Sequence, residues 1–95
     1  MQLETIDIKD FVPDNMVHGN NCFILETQFG YIAIFVHNNV AYKIPKIYIN
    51  PRIGYVFERM KVIAEKTFGI QLSHYQKVQT TMDTRIKKSM HTVNN

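Results

Sequence analysis

Cys22 and His18 are the first residues in this sequence whose types and spacing could do chemistry, since a histidine near a cysteine can act as its base. Nucleophilic catalysis also needs a lowered thiol pKa and a third group that orients the base, and the sequence identifies neither. Cys22 is the only cysteine in the 95 residues, so we expect no internal disulfide and no cysteine-based zinc site. We predict a packed thiol at the start of a strand.

The histidines and acidic residues give no better catalytic pattern. Zinc motifs place two ligands within about three to five residues of each other, whereas the histidines here are scattered. We expect His74 to be a core or rim residue of a strand, and the early acidic residues to be solvated. The sequence contains no Gly-rich phosphate loop and no G-x-S-x-G motif. It therefore predicts no catalytic residue, no metal, no cofactor and no enzymatic activity. The histidines are His18, His37, His74 and His91, and the early acidic residues are Glu4, Asp7, Asp10 and Asp14.

Basic residues concentrate in the second half of the chain. Residues 1–50 contain three lysines against five acidic residues, and residues 51–95 contain eight basic residues against three acidic ones. A basic cluster beside an aromatic ring suits nucleic acid, because cations neutralise phosphates and rings stack on bases. The sequence therefore allows a nucleic-acid-binding surface as an alternative function. Its residues are Tyr75, Lys77, Arg85, Lys87 and Lys88.

Three successive segments have the pattern of antiparallel strands. Residues 22–28 alternate, residues 31–36 are apolar on both faces as in a central strand, and residues 40–49 follow after Asn38 and Asn39. Two asparagines tolerate the positive φ of a tight hairpin. Pro45 cannot donate a ladder hydrogen bond, so the third strand is expected to be an edge strand or to carry a bulge. Further strands are expected at residues 3–8 and 70–79.

A helix is predicted over residues 51–68. Asn50 is suited to the N-cap, Pro51 to the first helical position, and Gly69 to a left-handed C-cap. Apolar side chains between them recur at steps of three and four and form one continuous face. They are Ile53, Val56, Phe57, Met60, Ile63, Ala64 and Phe68.

These elements predict an α+β fold in a single domain, residues 1–95, with the core at about 3–80. The sheet is expected to be an antiparallel β-meander of four to five strands with the helix (51–68) packed on one face. Residues 81–95 are polar and basic, and the pattern leaves open whether they form a short helix or a tail.

One helix covers only one face of such a sheet, so the other apolar face needs a cover. We assign Phe23, Leu25, Ile32, Ile34 and Val36 to the face under the helix. The opposite face would then carry an aromatic protein interface, for a partner or for a homodimer. The alternative is that the chain covers this face itself. The interface residues are Tyr31, Phe35, Tyr42 and Tyr48, and the covering residues of the alternative are Phe11, Val12, Met16 and Val17, or Ile86 and Met90.

The sequence thus favours a small non-enzymatic regulatory or inhibitory protein that occupies a site on a larger macromolecule. Its twelve Ile, eight Lys and eight Asn suit an AT-rich source such as a phage or mobile element, whose accessory proteins modulate host systems. No apolar run approaches the roughly 20 residues of a membrane helix, and the first residues do not form a signal peptide. We therefore expect a soluble, cytoplasmic protein. The runner-up is the nucleic-acid-binding module.

Overall fold

A five-stranded mixed sheet with a helix on one face forms from residues 3–11 and 22–79, which are the residues that the computed structural model describes. The sheet order is β1-β4-β3-β2-β5, and all neighbouring strands are antiparallel except β2 and β5. This confirms the predicted α+β fold and the mostly antiparallel sheet. The elements in chain order are β1 (Glu4–Ile6), a 3-10 turn (Ile8–Asp10), β2 (Cys22–Thr27), β3 (Gly30–His37), β4 (Val40–Lys43), α1 (Ile53–Phe68) and β5 (Gln76–Gln79).

Strand β3 is the centre of the sheet, as its two apolar faces predict. It pairs with β2 on one side and with β4 on the other, and its middle residues, 32–35, are buried. The β3–β4 turn has φ 50° at Asn38 and φ 64° at Asn39, the left-handed pair that a two-residue hairpin requires. The predicted meander of β2, β3 and β4 is therefore confirmed.

The β2–β3 hairpin depends on Gly30 and Thr27. The Thr27 hydroxyl donates to the Gly30 carbonyl at 2.9 Å and accepts from the Phe29 N–H at 3.0 Å. Gly30 has φ 136°, and a Cβ at this position would lie inside the van der Waals contact distance of the Tyr48 carbonyl oxygen. Only glycine fits this combination of conformation and close approach.

Pro45 interrupts the third predicted strand, which is shorter than expected. Strand β4 ends at Lys43, the Lys46 N–H turns back to the Ile44 carbonyl at 2.7 Å, and pairing resumes at Tyr48 as a single bridge to Tyr31. Of the two expected alternatives, an edge strand or a bulge, the edge strand is wrong, because β1 pairs with the other side of β4. The missing donor of Pro45 therefore interrupts the ladder along the chain without leaving β4 at the edge.

Helix α1 begins two residues later than predicted. Its N-cap is Arg52, because the Asn50 side chain accepts the Arg52 N–H at 2.8 Å and forms a turn before the helix. Gly69 ends the helix with φ 70°, and its N–H donates to the Glu65 carbonyl at 2.8 Å. The predicted left-handed C-cap is confirmed, whereas the predicted N-cap is wrong.

Strand β5 is also shorter than the predicted segment at 70–79, and it runs parallel to β2. The preceding residues link the end of α1 to this edge of the sheet, and there Leu72 is buried while Ile70 and Tyr75 pack beside it. A strand reached through a helical crossover is commonly parallel to its neighbour. The sheet is therefore mixed, with the expected antiparallel pairing between all neighbouring strands except these two.

The sheet separates two apolar layers, and the faces are the reverse of the prediction. The layer under α1, the helix-side core, contains Cys22, Ile24, Ala33, Phe35, Ile44, Tyr48, Val56, Met60, Ile63, Ala64 and Leu72. The layer on the other face, the far-side core, contains Phe23, Leu25, Ile32, Ile34, Ala41 and Val78. Alternation along β3 defines which residues share a face but not which face the helix covers, so both assignments fitted the pattern.

Candidate functional site

The four residues predicted to form an aromatic interface lie under the helix instead. Phe35 and Tyr48 are 0% and 3% exposed in the helix-side core, and Tyr31 and Tyr42 are half-buried against it. The Tyr42 ring lies 4.9 Å from the ring of Phe68 in α1. Their predicted placement on the face away from the helix is wrong, because these side chains form the surface on which α1 packs.

The far-side core is buried as well. Phe23, Leu25 and Ile34 have no exposed surface, and Ile8 and Phe11 from the segment after β1 pack against this layer. Phe11 was among the residues predicted to cover an apolar face of the sheet, and it does so on the face opposite α1. The other predicted covering residues, Val12, Met16, Val17, Ile86 and Met90, lie outside the described residues.

The predicted nucleic-acid cluster is only partly described, and its described members are engaged. The Tyr75 ring lies 4.7 Å from the ring of Phe57, at an interplanar angle of 50°. The Lys77 Nζ lies 2.9 Å from a Glu26 carboxylate oxygen, and the hydrogen bond and charge of Glu26 raise the pKa of Lys77. The charge of Lys77 is therefore already paired with the carboxylate of Glu26. Arg85, Lys87 and Lys88 lie outside the described residues.

Cys22 is 1% exposed, and burial raises the pKa of its thiol to about 12. Such a thiol is protonated at neutral pH and is a poor nucleophile. His18, its predicted neighbour, lies outside the described residues, as does His91. His74 precedes β5 and is exposed beside the Ser73 hydroxyl at 2.9 Å, which corrects its predicted place in the strand. Among residues 3–11 and 22–79, no three His, Cys, Asp or Glu side chains are grouped to hold a metal ion.

The solvent-facing side of α1 carries a row of residues that we call the helix stripe. It alternates cations with apolar side chains at steps of three and four residues, the spacing that keeps side chains on one side of a helix. Tyr55 and Val62 are the two apolar members, and each is 47% exposed. The helix stripe consists of Arg52, Tyr55, Arg59, Val62 and Lys66.

The cations of the helix stripe differ from the other lysine side chains of the sheet and helix. Lys43, Lys61 and Lys77 each lie within 4 Å of a carboxylate, on Glu4, Glu58 and Glu26 respectively. The side chains of Arg52, Arg59 and Lys66 have no such carboxylate among the described residues. The helix stripe is therefore a positively charged surface whose charge this part of the chain does not balance.

The loop before α1 also carries an exposed apolar residue and a cation. The Tyr48 ring lies 6.1 Å from the Tyr55 ring in an edge-to-face arrangement, and the Lys46 ammonium lies 5.0 Å from the centre of the Tyr48 ring. The next residue, Ile49, is 84% exposed. This loop therefore adds an exposed apolar side chain and a cation to the part of the chain that leads into α1.

Sequence reasoning identified the buried side of this helix but not the outer residues Tyr55 and Val62. A usable signal was present, because these two residues recur at a step of seven on the side opposite the predicted apolar face. No protein-family model matches this chain, and neither the curated proteins nor the solved structures include a significant match. No helix in the described part of the chain is both long and apolar enough to cross a membrane.

Proposed function

We propose that this protein is a non-enzymatic regulatory or inhibitory binding protein that occupies a site on a larger macromolecule, and that the helix stripe is its contact surface. The observation that carries the proposal is the alternation, along one side of α1, of exposed apolar side chains with cations that have no carboxylate partner among the described residues. Tyrosine and arginine are enriched in protein interfaces because they combine apolar area with polar groups.

The other side of the helix holds this surface in place. Val56, Met60, Ile63 and Ala64 are buried against the sheet, so the backbone that carries the helix stripe is fixed before any partner binds. A preordered surface loses less conformational entropy on binding than a flexible segment does. This supports recognition by the helix rather than folding upon binding.

The dimensions of the helix stripe indicate how strong such a contact is. Lys66 follows Arg52 by fourteen positions, which is about 21 Å along a helix. A strip of this length and one helix face in width is far smaller than the roughly 800 Å² that each partner buries in a standard stable interface. The helix stripe alone therefore suits a weak contact, and tighter binding needs additional surface.

Site-specific photo-cross-linking tests the proposal in cells of the native host. A benzophenone amino acid replaces Val62, which is exposed in the middle of the helix stripe, and in a control chain it replaces Lys9, which is exposed on the 3-10 turn. We expect a cross-linked species of defined mass from position 62 that is absent from position 9 and resists nuclease.

Two results would contradict the proposal. Identical cross-linking patterns from positions 62 and 9 would mean that the helix stripe is ordinary solvated surface. A position-62 product that nuclease removes would favour the alternative function, the nucleic-acid-binding module, over a protein partner.

A further inference from the structure

We infer that the helix stripe binds an acidic amphipathic helix of a protein partner, whose carboxylates recur about every seven residues with apolar side chains between them. This inference rests on the proposed function and specifies the chemistry of the partner. It is drawn from the spacing of the cations, from the side chains between them and from the charges beside them.

The cations of the helix stripe repeat at a constant interval. Arg59 and Lys66 are seven residues apart within α1, which is nearly two helical turns and about 10.5 Å along the axis, and the N-cap residue Arg52 precedes Arg59 by the same number of positions. A second helix lying beside α1 presents its own side chains with the same repeat, so that one carboxylate can meet each cation. The arrangement therefore matches a helical partner residue by residue.

A nucleic-acid duplex has a much denser charge than this surface. Duplex DNA carries about one negative charge per 1.7 Å of axis, so a duplex segment as long as the roughly 21 Å between Arg52 and Lys66 carries about twelve phosphates against three cations. The flank of the helix stripe also carries Glu58 and Glu65, and both are exposed. Carboxylates beside a phosphate backbone repel it, whereas a protein partner can place neutral or basic groups there.

The apolar members of the helix stripe also favour a protein. Val62 lies between Arg59 and Lys66, and a valine side chain has neither a ring to stack on a base nor a polar group to bind one. Tyr55 and Val62 can instead be buried between apolar side chains of a facing helix, as in heptad packing. A second copy of this chain is a poorer occupant, since it would bring the same uncompensated cations together.

Fluorescence anisotropy with three labelled probes tests the inference on the full-length protein. The first probe is a synthetic 21-residue helical peptide with Glu at every seventh position and Leu at intervening positions three or four residues away. The second has Lys in place of those Glu residues, and the third is a 20-base-pair DNA duplex. We expect the acidic peptide to bind at low salt, with binding weakened roughly 3- to 10-fold between 20 and 200 mM salt, and the basic peptide not to bind.

Charge reversal locates the binding on the protein. Arg59→Glu and Lys66→Glu should each weaken binding of the acidic peptide by about 3- to 10-fold. Arg59 is half-buried and Lys66 is exposed, so Lys66→Glu tests the contact even if Arg59→Glu disturbs folding. Lys9→Glu is the matched control, because it changes the net charge equally on the 3-10 turn, whose neighbours Ile8 and Phe11 pack on the opposite sheet face. It should leave the affinity within about twofold.

Four results would overturn the inference. They are an acidic peptide that does not bind at 100 μM protein, equal binding of the two peptides, an equal loss of affinity in Lys9→Glu, and tighter binding of the DNA duplex than of the acidic peptide. Any of these together with a nuclease-resistant cross-link at position 62 would leave the proposed function standing and refute only its acidic partner. Failure of the cross-link would refute the proposed function itself.

Discussion

Phe35 lies under the helix in the structure, whereas the sequence pattern placed it on the opposite face of the sheet. It has no exposed surface, and its ring centre lies 5.8 Å from that of Phe68 in α1 and 5.9 Å from that of His37. Burial of a phenylalanine removes roughly 150–250 Å² from water, and Phe→Ala in a core costs about 3–5 kcal/mol. A domain of this size has a free energy of unfolding of roughly 5–15 kcal/mol. Phe35→Ala should therefore remove a large part of the stability.

Phe35→Asp should go further and unfold the protein. The substitution makes the same cavity and also places a carboxyl group among apolar side chains, which costs several kcal/mol more whether the group ionises or takes up a proton. If Phe35 instead faced a partner on an open surface, Phe35→Asp would leave the subunit folded. The two placements therefore differ in whether the variant folds at all.

Urea unfolding followed by far-ultraviolet circular dichroism distinguishes these outcomes. With a slope of about 1–3 kcal/mol per molar urea, Phe35→Ala should lower the midpoint by about 2 M, and Phe35→Asp should show no cooperative transition. Val62→Asp is the control, since it introduces the same group at an exposed helical position and should change stability by less than about 1 kcal/mol. A Phe35→Asp protein that unfolds cooperatively near the wild-type midpoint would refute the placement of Phe35 under the helix.

The remaining predictions concern glycine, cysteine and the helix core. In thermal unfolding, Gly30→Ala should lower the free energy of unfolding by about 2–4 kcal/mol, because Gly30 has a φ of 136° and lies against the Tyr48 carbonyl. Gly54→Ala should raise it by about 0.5–1 kcal/mol, because Gly54 is a helical residue with open space around it. Equal effects of the two substitutions would contradict this prediction. Cys22 should resist a thiol reagent at pH 8 until urea is added. Folding raises the pKa of Cys22 from 9.0 to about 12. The contribution of this thiol to the free energy of unfolding should therefore be constant below pH 9 and fall by about 1.4 kcal/mol per pH unit between pH 9 and 12. The Cys22→Ala variant should lack this pH dependence. Met60→Ala should lower the free energy of unfolding in urea by about 2–5 kcal/mol, and Phe57→Ala should lower it clearly less, because Met60 is buried and Phe57 only half-buried. The reverse order would mean that the packed face of α1 is misassigned.

The local elements were determined by the sequence because their causes are local. The paired positive φ of Asn38 and Asn39 defines a hairpin, Gly69 ends the helix, and the spacing of Val56, Met60 and Ile63 selects the buried side of α1. Each depends on neighbours within a few positions of the chain. The buried state of Cys22, predicted from residue type alone, belongs to the same class.

The candidate site was only partly predictable. The outer side of α1 and its charges follow from helical spacing, but the absence of carboxylates near Arg52, Arg59 and Lys66, in the part of the chain described, depends on where the sheet places its acidic residues. Glu4 and Glu26 pair with Lys43 and Lys77 across strands that are distant in sequence. Such pairings require the register between strands, which a charge count along the chain does not contain.

Only the tertiary structure decided which face of the sheet lies under the helix and which way β5 runs. Residues on β3 alternate between two apolar faces, and that pattern is the same whichever face α1 covers. The short alternation before and within β5 likewise predicts a strand but not its direction, because direction depends on how the chain crosses back over the sheet after α1. Local sequence thus determined the elements and the buried side of the helix. The packing of α1 against the sheet placed Phe35 and Tyr48 in the core. It left the helix stripe facing solvent, since only one side of a helix can be buried against one face of a sheet.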